Sequence, residues 1–145
     1  MKKLEKEFNQ YLANLAIWTA KLHNLHWNVE GSLFPAVHEY TDVLYNKTFQ
    51  QMDEVAEHFK MFGLIPESTM KKYLEIAKIK EEPSRKFECK EVLEIILKDM
   101  ELMRDEATEL RNACDKEGWF SAVSIFEEHI AGYNKEIWFI KATLS

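Results

Sequence analysis

The sequence predicts an all-α fold, a bundle of four long helices with a short extra helix in the connection between the second and the third. Apolar residues recur at alternating spacings of three and four along most of the 145 residues. Only four glycines and three prolines interrupt the chain, which indicates few turns and long helices. With 46% hydrophobic and 30% charged residues, we expect one globular domain over residues 1–145.

The first two long helices are predicted on either side of Gly31. The apolar stripe of the first helix is unbroken and consists of Leu4, Phe8, Tyr11, Leu15, Trp18, Leu22, Leu25 and Val29. The second helix is predicted to start near Pro35, which suits a first helical turn, and to end at Gly63 as its C-terminal cap. The residues that interrupt its apolar stripe are Thr41, Thr48 and Gln51. This weaker stripe indicates a helix that serves more than one surface.

The second half of the chain begins with a long connection over residues 64–88. Within it, residues 69–79 are predicted to form a short helix. A long crossover that carries its own helix suits two parallel neighbours in a bundle. The third and fourth long helices are predicted over residues 90–116 and 119–144, where the alternation of apolar residues resumes.

Composition argues against several classes of function. The net charge of −6 disfavours nonspecific binding to nucleic-acid phosphates, and no apolar run is long enough to cross a membrane. The N-terminal stretch contains acidic residues and does not resemble a secretion signal, so we expect a cytoplasmic protein. Cys89 and Cys114 lie about 37 Å apart along one predicted helix, so they are expected to be free, buried or half-buried thiols.

Four side chains form the leading candidate for a metal site. His26 ends one helical pattern and His38 begins the next, so a turn near residue 32 places both imidazoles at about the same height. Asp53 and Glu57 are four residues apart and share one helix face. The fifteen residues from His38 to Asp53 span about 22 Å of helix, far beyond the reach of one metal ion. Either these pairs are unrelated, or a second copy of the chain completes each site across a twofold interface.

A metal site inside one bundle would need different residues. Buried di-iron sites in four-helix bundles use a glutamate three residues before a histidine on two helices. None of the five histidines has a glutamate at that spacing. Of the remaining histidines, His23 is expected to be buried or to orient a ligand through a hydrogen bond. His129, which follows two glutamates, is expected to face solvent.

The segments HWNVEG, FPAVHEY, LY and MDEVAEHFKMFG, which run in this order from His26 to Gly63, are similar to the Dps-type mini-ferritins. This is the DNA-protection-during-starvation family, which has a ferritin-like four-helix bundle. Further similarity occurs in STMKKYLEIAKIKEE and IWFIKATLS, and the resemblance extends from about Phe8 to the end. It implies a ferroxidase centre at a dimer interface, with His26, His38, Asp53 and Glu57 as metal ligands and Trp27 beside the site.

The resemblance also implies a reaction and an assembly. Fe(II) is expected to be oxidised, with hydrogen peroxide preferred over oxygen and two Fe(II) consumed per peroxide. The product is expected to be stored as ferric oxyhydroxide inside a homo-oligomer of twelve subunits, which protects the cell from oxidative stress. Glu39 and Asp42 match acidic positions of the inner wall, where mineral nucleates. Zn or another divalent metal suits the same four ligands.

The chain departs from the family pattern near the start of the last helix. Trp119, Phe120 and Ser121 stand where relatives commonly place the acids that line a threefold pore. Asp115 and Glu117 are near enough to substitute for them. We therefore expect a less polar or displaced entry route for iron.

Binding to DNA is expected to be weak or absent. The N-terminal tail carries three lysines offset by two glutamates, and the last helix ends without a basic extension. Two alternatives to the ferroxidase remain at this stage. One is a structural or interaction shell, such as a surface antigen, adhesin or DNA coat, with a degraded metal site. The other is a plain helical adaptor, which a monomer or dimer in solution would support.

Overall fold

The computed structural model describes residues 2–145, and it confirms the all-α prediction. The elements in chain order are α1 (Lys2–Asn28), β1 (Val29–Glu30), α2 (Phe34–Met61), α3 (Met70–Ile76), β2 (Phe87–Glu88), α4 (Cys89–Lys116) and α5 (Phe120–Leu144). The four long helices begin and end within a few residues of the predicted limits. Within residues 2–145, no helix combines the length and the apolar character that crossing a membrane requires.

The helices pack as two pairs, α1 against α2 and α4 against α5. The short strands β1 and β2 form a parallel pair in which Val29 is opposite Phe87 and Glu30 is opposite Glu88. This pair holds the start of α4 beside the turn between α1 and α2. As a result α2 and α4 start at the same end of the bundle, which confirms the parallel arrangement predicted from the long crossover.

The turn between α1 and α2 depends on Gly31. Its φ is +132°, a backbone angle that residues other than glycine rarely adopt. A Cβ atom at this position would also lie only 3.3 Å from the sulfur of Cys89. The Phe34 amide donates to the Gly31 carbonyl at 3.0 Å, and Pro35 occupies the first turn of α2 as predicted. The turn is therefore short and fixed, and it sets the height at which α1 and α2 face each other.

The aromatic core lies between α1, α2 and α5. The Phe8 ring contacts Phe59 and Phe126 edge-on, with centroids 5.3 and 5.4 Å apart. Helix α1 buries 14 of its 27 residues, whereas α2 buries 7 of its 28. Since α2 also exposes the large apolar side chains of Val43 and Phe49, the prediction that it serves more than one surface is supported.

The crossover between α2 and α4 is held by amide side chains of α1. The Asn14 side-chain oxygen accepts the backbone N–H groups of Lys78 and Ile79, at 2.7 and 3.2 Å. The Asn14 amide nitrogen donates to the buried Glu106 carboxylate at 2.6 Å. Because these bonds draw the backbone of residues 77–79 out of a helix, α3 ends at Ile76, and its prediction to residue 79 is wrong.

Two smaller predictions are confirmed. Gly63 follows the C-terminus of α2 with a φ of +77°, and the Leu64 amide bonds back to the Phe59 carbonyl, as expected of a glycine cap. Cys89 and Cys114 are both buried free thiols.

Candidate metal centre

The two imidazoles predicted to meet do so. The His26 and His38 rings stack with centroids 3.7 Å apart and an interplanar angle of 13°. His26 lies at the end of α1 and His38 in the first turns of α2. The short turn at Gly31 therefore brings the two imidazoles to the same height, as the sequence predicted. Their role as metal ligands remains a proposal.

A reciprocal pair of hydrogen bonds fixes which nitrogen of each ring carries a proton. The Nδ1–H of His26 donates to the His38 carbonyl at 2.7 Å, and the Nδ1–H of His38 donates to the His26 carbonyl at 2.9 Å. A carbonyl oxygen only accepts, so each Nδ1 must carry the proton. In the neutral rings, each Nε2 is then left with a free lone pair. Such backbone bonds on the far nitrogen are the usual way in which proteins orient metal-binding histidines.

The surroundings of the pair keep His26 neutral. Burial lowers the pKa of the His26 imidazole, and the His38 imidazole lowers it further, against the raising effect of the bond to the His38 carbonyl. The Thr41 hydroxyl oxygen lies 3.0 Å from Nδ1 of His26 and gives that proton a second acceptor. The outer face of His38 is covered by the Phe34 ring, stacked at 4.9 Å.

His23 does not orient either ring by a hydrogen bond, so that hypothesis is wrong. Its Nδ1 is bonded to the Thr19 carbonyl at 2.7 Å. The His23 ring instead stacks on Tyr45 at 3.9 Å, and Tyr45 meets His26 edge-on at 5.2 Å. His23 therefore supports the pair through an intervening aromatic ring.

Asp53 and Glu57 converge on the exposed face of α2. A hydrogen bond between the two carboxyl groups raises the pKa of Glu57, and repulsion from the charged Asp53 raises it further. Two carboxyl groups this close share a proton or a cation more easily than they carry two negative charges. A divalent cation bound between the two carboxylates would remove this repulsion, which makes the pair a candidate half of a metal site.

One chain does not bring the imidazoles and the carboxylates together. Helix α2 is continuous from Phe34 to Met61, so His38 and Asp53 are about 22 Å apart along its axis. Among the described residues 2–145, no three His, Cys, Asp or Glu side chains are grouped closely enough to hold a metal ion. The chain therefore carries two separate pairs of candidate ligands.

The other residues predicted for the site are exposed or half-buried; they are Trp27, Glu39 and Asp42. Trp27 is next to His26 and is 68% exposed, which leaves its ring free to contact another subunit. Glu39 is exposed, and Asp42 is half-buried one turn further along α2. The Asp42 carboxylate accepts from the Asn46 side chain at 2.8 Å, and its hydrogen bond with Tyr45 raises the tyrosine pKa.

His129 is not solvated as predicted, because it is turned into the bundle and is only 4% exposed. Its Nε2 is bonded to the Glu54 carboxylate at 2.8 Å and its Nδ1 to the Tyr11 hydroxyl at 2.9 Å. The two glutamates before it suggested a polar face. The better signal was its spacing from Phe126 and Tyr133, three residues before and four after, which places it on the inner side.

The segment expected at the pore divides into two parts. Trp119 packs within its own chain, with its ring stacked on Phe62 at 3.8 Å. Phe120 is 68% exposed and Ser121 is exposed at the start of α5. Of these three residues, only Phe120 and Ser121 are exposed, as are the nearby Asp115 and Glu117.

Comparison with known proteins gives a consistent result. The family model of the ferritin-like domain matches residues 5–145. The chain is 38% identical over 141 residues to a DNA protection during starvation protein of Listeria innocua, covering 96% of this chain and 90% of that protein. It is 32% identical over 133 residues to the protein of the same name from Helicobacter pylori, covering 92% of each. A structure of Listeria innocua Dps soaked with zinc superposes with a TM-score of 0.92 at 35% identity, covering 97% of this chain and 95% of that one. The similarity extends over nearly the whole chain in sequence and in fold.

Proposed function

Because the chain belongs to the Dps family of ferritin-like proteins, we propose that it oxidises Fe(II) with hydrogen peroxide at sites shared between two subunits. The ferric product is stored inside an oligomeric shell. The observation that carries the proposal is the stacked pair of His26 and His38, in which both Nδ1–H groups bond to backbone carbonyls and leave Nε2 as the atom that can bind a metal. A structural role alone does not need two imidazoles held in the same tautomer.

Each site needs a second copy of the chain. An antiparallel twofold pairing along α2 would bring His26 and His38 of one subunit opposite Asp53 and Glu57 of the other. The same operation produces a second, equal site, about 22 Å away along the helix. The exposed Trp27, Val43 and Phe49 supply apolar area for this interface.

The residues of the two half-sites have different tasks in the reaction. The neutral imidazoles bind Fe(II) through Nε2 without adding charge, and the carboxylates neutralise the cation. Two Fe(II) ions give one electron each to one hydrogen peroxide molecule. The O–O bond breaks, two protons are taken up, and two water molecules and two Fe(III) result. Because both electrons arrive together, no hydroxyl radical is released.

The oxidised iron is stored in the hollow of the shell, for which we propose twelve subunits. We propose that Glu39 and Asp42 lie on the inner wall, where their carboxylates bind Fe(III) and start the mineral. Phe120 and Ser121 then border the entry route in place of acids, so iron enters by a less polar or displaced path. Substituting Phe120 by Asp is expected to speed iron entry, as measured by stopped-flow oxidation in the intact shell.

Protection by this protein is proposed to act on iron and peroxide and not through tight binding to DNA. The chain has a net charge of −6, and an oligomer multiplies this charge, which repels a polyanion. A gel shift at physiological salt is expected to show no stable complex. A robust shift would contradict this part of the proposal.

The decisive experiment is an anaerobic Fe(II) titration followed by hydrogen peroxide, with oligomer size measured in parallel. Wild type is expected to consume two Fe(II) per peroxide. The His38→Ala variant should keep its oligomer size and lose this activity. The surface variant Glu94→Gln, which removes an exposed carboxylate on α4 and its weak surface ion pair with Lys90, should behave as wild type.

Two results would count against the proposal. His38→Ala that oxidises iron as fast as wild type in an intact oligomer would show that the imidazole pair is not the site. A wild-type oligomer that does not consume peroxide with Fe(II) would favour the structural shell. Zn(II) should compete for the same four ligands and inhibit oxidation, since it binds nitrogen and oxygen but has no redox chemistry.

A further inference from the structure

A chain of hydrogen bonds runs through the centre of the bundle, away from the half-sites just described. It joins the Tyr133 hydroxyl to the Tyr11 hydroxyl at 2.7 Å, and Tyr11 to Nδ1 of His129 at 2.9 Å. Nε2 of His129 then meets the Glu54 carboxylate at 2.8 Å. Tyr11 is 0% exposed, and Tyr133 and His129 are each 4% exposed. The function proposed above uses none of these four residues.

The geometry fixes the direction of every proton in this chain. The Glu54 carboxylate only accepts, so Nε2 of His129 carries the hydrogen. The neutral ring then has its lone pair on Nδ1, and the Tyr11 O–H must donate to it. The Tyr11 oxygen in turn accepts from the Tyr133 O–H. Burial lowers the pKa of His129 and raises that of Tyr11, so both are neutral at physiological pH and this order is maintained.

A buried phenol that donates to a neutral imidazole has a specific redox property. A phenol that loses one electron also loses its proton, and the reaction is easy only where a base is ready to take it. Here His129 is that base, and Glu54 stabilises the imidazolium that forms. The surrounding rings of Phe8, Phe126 and Trp18 exclude water from the resulting radical.

The arrangement does not suit a proton channel through the bundle. Tyr133 is the inner end of the hydrogen-bond chain and lies in the core. Within residues 2–145 the only hydrogen-bond partner of its hydroxyl is Tyr11. A proton entering from Glu54 therefore has no exit on the other side. The network is suited to holding one proton while an electron leaves.

The outer end of this hydrogen-bond chain is Glu54, which lies next to the carboxylate pair of Asp53 and Glu57 in the sequence. Glu54 directly follows Asp53 and precedes Glu57 by three residues on α2. Two hydrogen bonds and one imidazole ring separate the Tyr11 hydroxyl from the Glu54 carboxylate. Tyr11 is thus connected to the helix turn that carries Asp53 and Glu57.

We propose that Tyr11 is an internal one-electron donor to the metal centre, with His129 as the acceptor of its proton. The inference rests on the proposed function and concerns the case in which only one Fe(II) is bound. Peroxide then takes one electron from Fe(II) and one from Tyr11, its O–O bond breaks, and two solvent protons complete two water molecules. The products are Fe(III), a neutral Tyr11 radical and protonated His129. The second electron is supplied without release of hydroxyl radical.

The test uses the intact oligomer loaded with less than one Fe(II) per site, mixed with excess hydrogen peroxide and frozen within milliseconds. Electron paramagnetic resonance of protein grown with ring-deuterated tyrosine separates a tyrosyl from a tryptophanyl radical. Wild type is expected to show a tyrosyl signal, and Tyr11→Phe to lose it. Tyr73→Phe is the matched control, since Tyr73 is also buried but lies outside the hydrogen-bond chain, and should keep the signal.

Two further variants separate a redox role from a structural one. His129→Gln keeps a polar side chain that cannot take the proton, and should lose the radical in an oligomer of unchanged size. Tyr133→Phe should keep the radical but shift its g-values, because the radical oxygen loses the hydrogen bond from Tyr133. If Tyr11→Phe does not assemble, these two variants still decide the question.

The outcomes distinguish this inference from the function on which it rests. If wild type consumes two Fe(II) per peroxide at full loading but gives no tyrosyl radical at low loading, the inference fails and the ferroxidase stands. A radical that survives in Tyr11→Phe, or that belongs to tryptophan, also overturns it. If wild type does not oxidise Fe(II) with peroxide at any loading, both fail.

Discussion

The two halves of the candidate metal site are built in opposite ways. The imidazole half is locked by two reciprocal hydrogen bonds and a ring stack, with His26 only 7% exposed. The carboxylate half consists of Asp53 and Glu57, exposed on one helix face and pushed towards sharing a proton. Folding of one chain completes the first half. In the proposed dimer, a cation and a second chain are needed to complete the other.

The difference indicates how the work of binding is divided. Because the imidazole pair is fixed before the metal arrives, binding loses little side-chain freedom there. The carboxylates make few contacts that stabilise the fold. They repel each other, and a divalent cation bound between them would remove that repulsion. Affinity is therefore expected to depend on both halves, whereas only the imidazole half is expected to stabilise the folded chain.

The largest expected effect comes from removing one ligand of each half. His38→Ala and Glu57→Ala should each weaken Fe(II) or Zn(II) binding by at least about 100-fold, since loss of an outer partner alone costs roughly 10- to 100-fold. Only His38→Ala should also lower the stability of the chain, because it breaks the bond to the His26 carbonyl. Isothermal titration and urea unfolding measure the two quantities. Equal stability losses would show that the halves are not built differently.

A smaller effect is expected from the support of the imidazole half. Thr41→Val removes the second acceptor of the His26 Nδ1 proton but leaves the His38 carbonyl in place. Metal affinity should fall by about 10-fold, the low end for loss of an outer partner. Thr41→Ser keeps the hydroxyl and is expected to bind as wild type. Unchanged affinity in Thr41→Val would mean that the carbonyl alone orients the ring.

Stability should also depend on pH through His26, in the opposite direction to the dependence that arises from Glu57. The pKa of His26 in the folded chain lies below its usual value of about 6.5, mainly because of burial. Above pH 6.5 both folded and unfolded states are neutral at this group, and its stabilisation is complete. As the pH falls below 6.5 the unfolded chain takes up a proton first, so stability is lost. His26→Gln should flatten this dependence in metal-free urea unfolding. Glu57→Gln should instead make it steeper in the acid range, because the raised pKa of Glu57 lowers stability as the pH rises and the substitution removes that opposing effect.

The smallest expected effect concerns the acids themselves. Asp53→Asn removes the charged neighbour that raises the pKa of Glu57, so this pKa should fall towards the usual range. Carbon-detected NMR titration of the Glu57 carboxyl group, in metal-free protein, measures the shift. If the pKa of Glu57 does not move, the two carboxyl groups do not interact in solution.

Much of the fold could be predicted because α1, α4 and α5 each have one continuous apolar stripe and α2 has a weaker one. The pairing of His26 with His38 followed from a short turn at Gly31, and the convergence of Asp53 with Glu57 followed from helical spacing. Both need only local geometry, which the sequence determines directly.

What the sequence did not predict depends on contacts between distant parts of the chain. The end of α3 is set by Asn14, more than sixty residues away. The β1–β2 pair has two residues per strand, too few for a periodicity to be visible. His129 was placed outside because its neighbours are acidic, although its partners, Tyr11 and Glu54, come from two other helices.

The unbroken length of α2 between His38 and Asp53 has a consequence for how this protein can evolve. A single inserted or deleted residue there would turn the acid pair by about 100° and move it by about 1.5 Å relative to the rings. In the proposed twofold pair both sites would be misaligned at once, because each site combines the rings of one chain with the acids of the other. The segment between these residues is therefore expected to tolerate substitutions at its exposed positions but hardly any change in length.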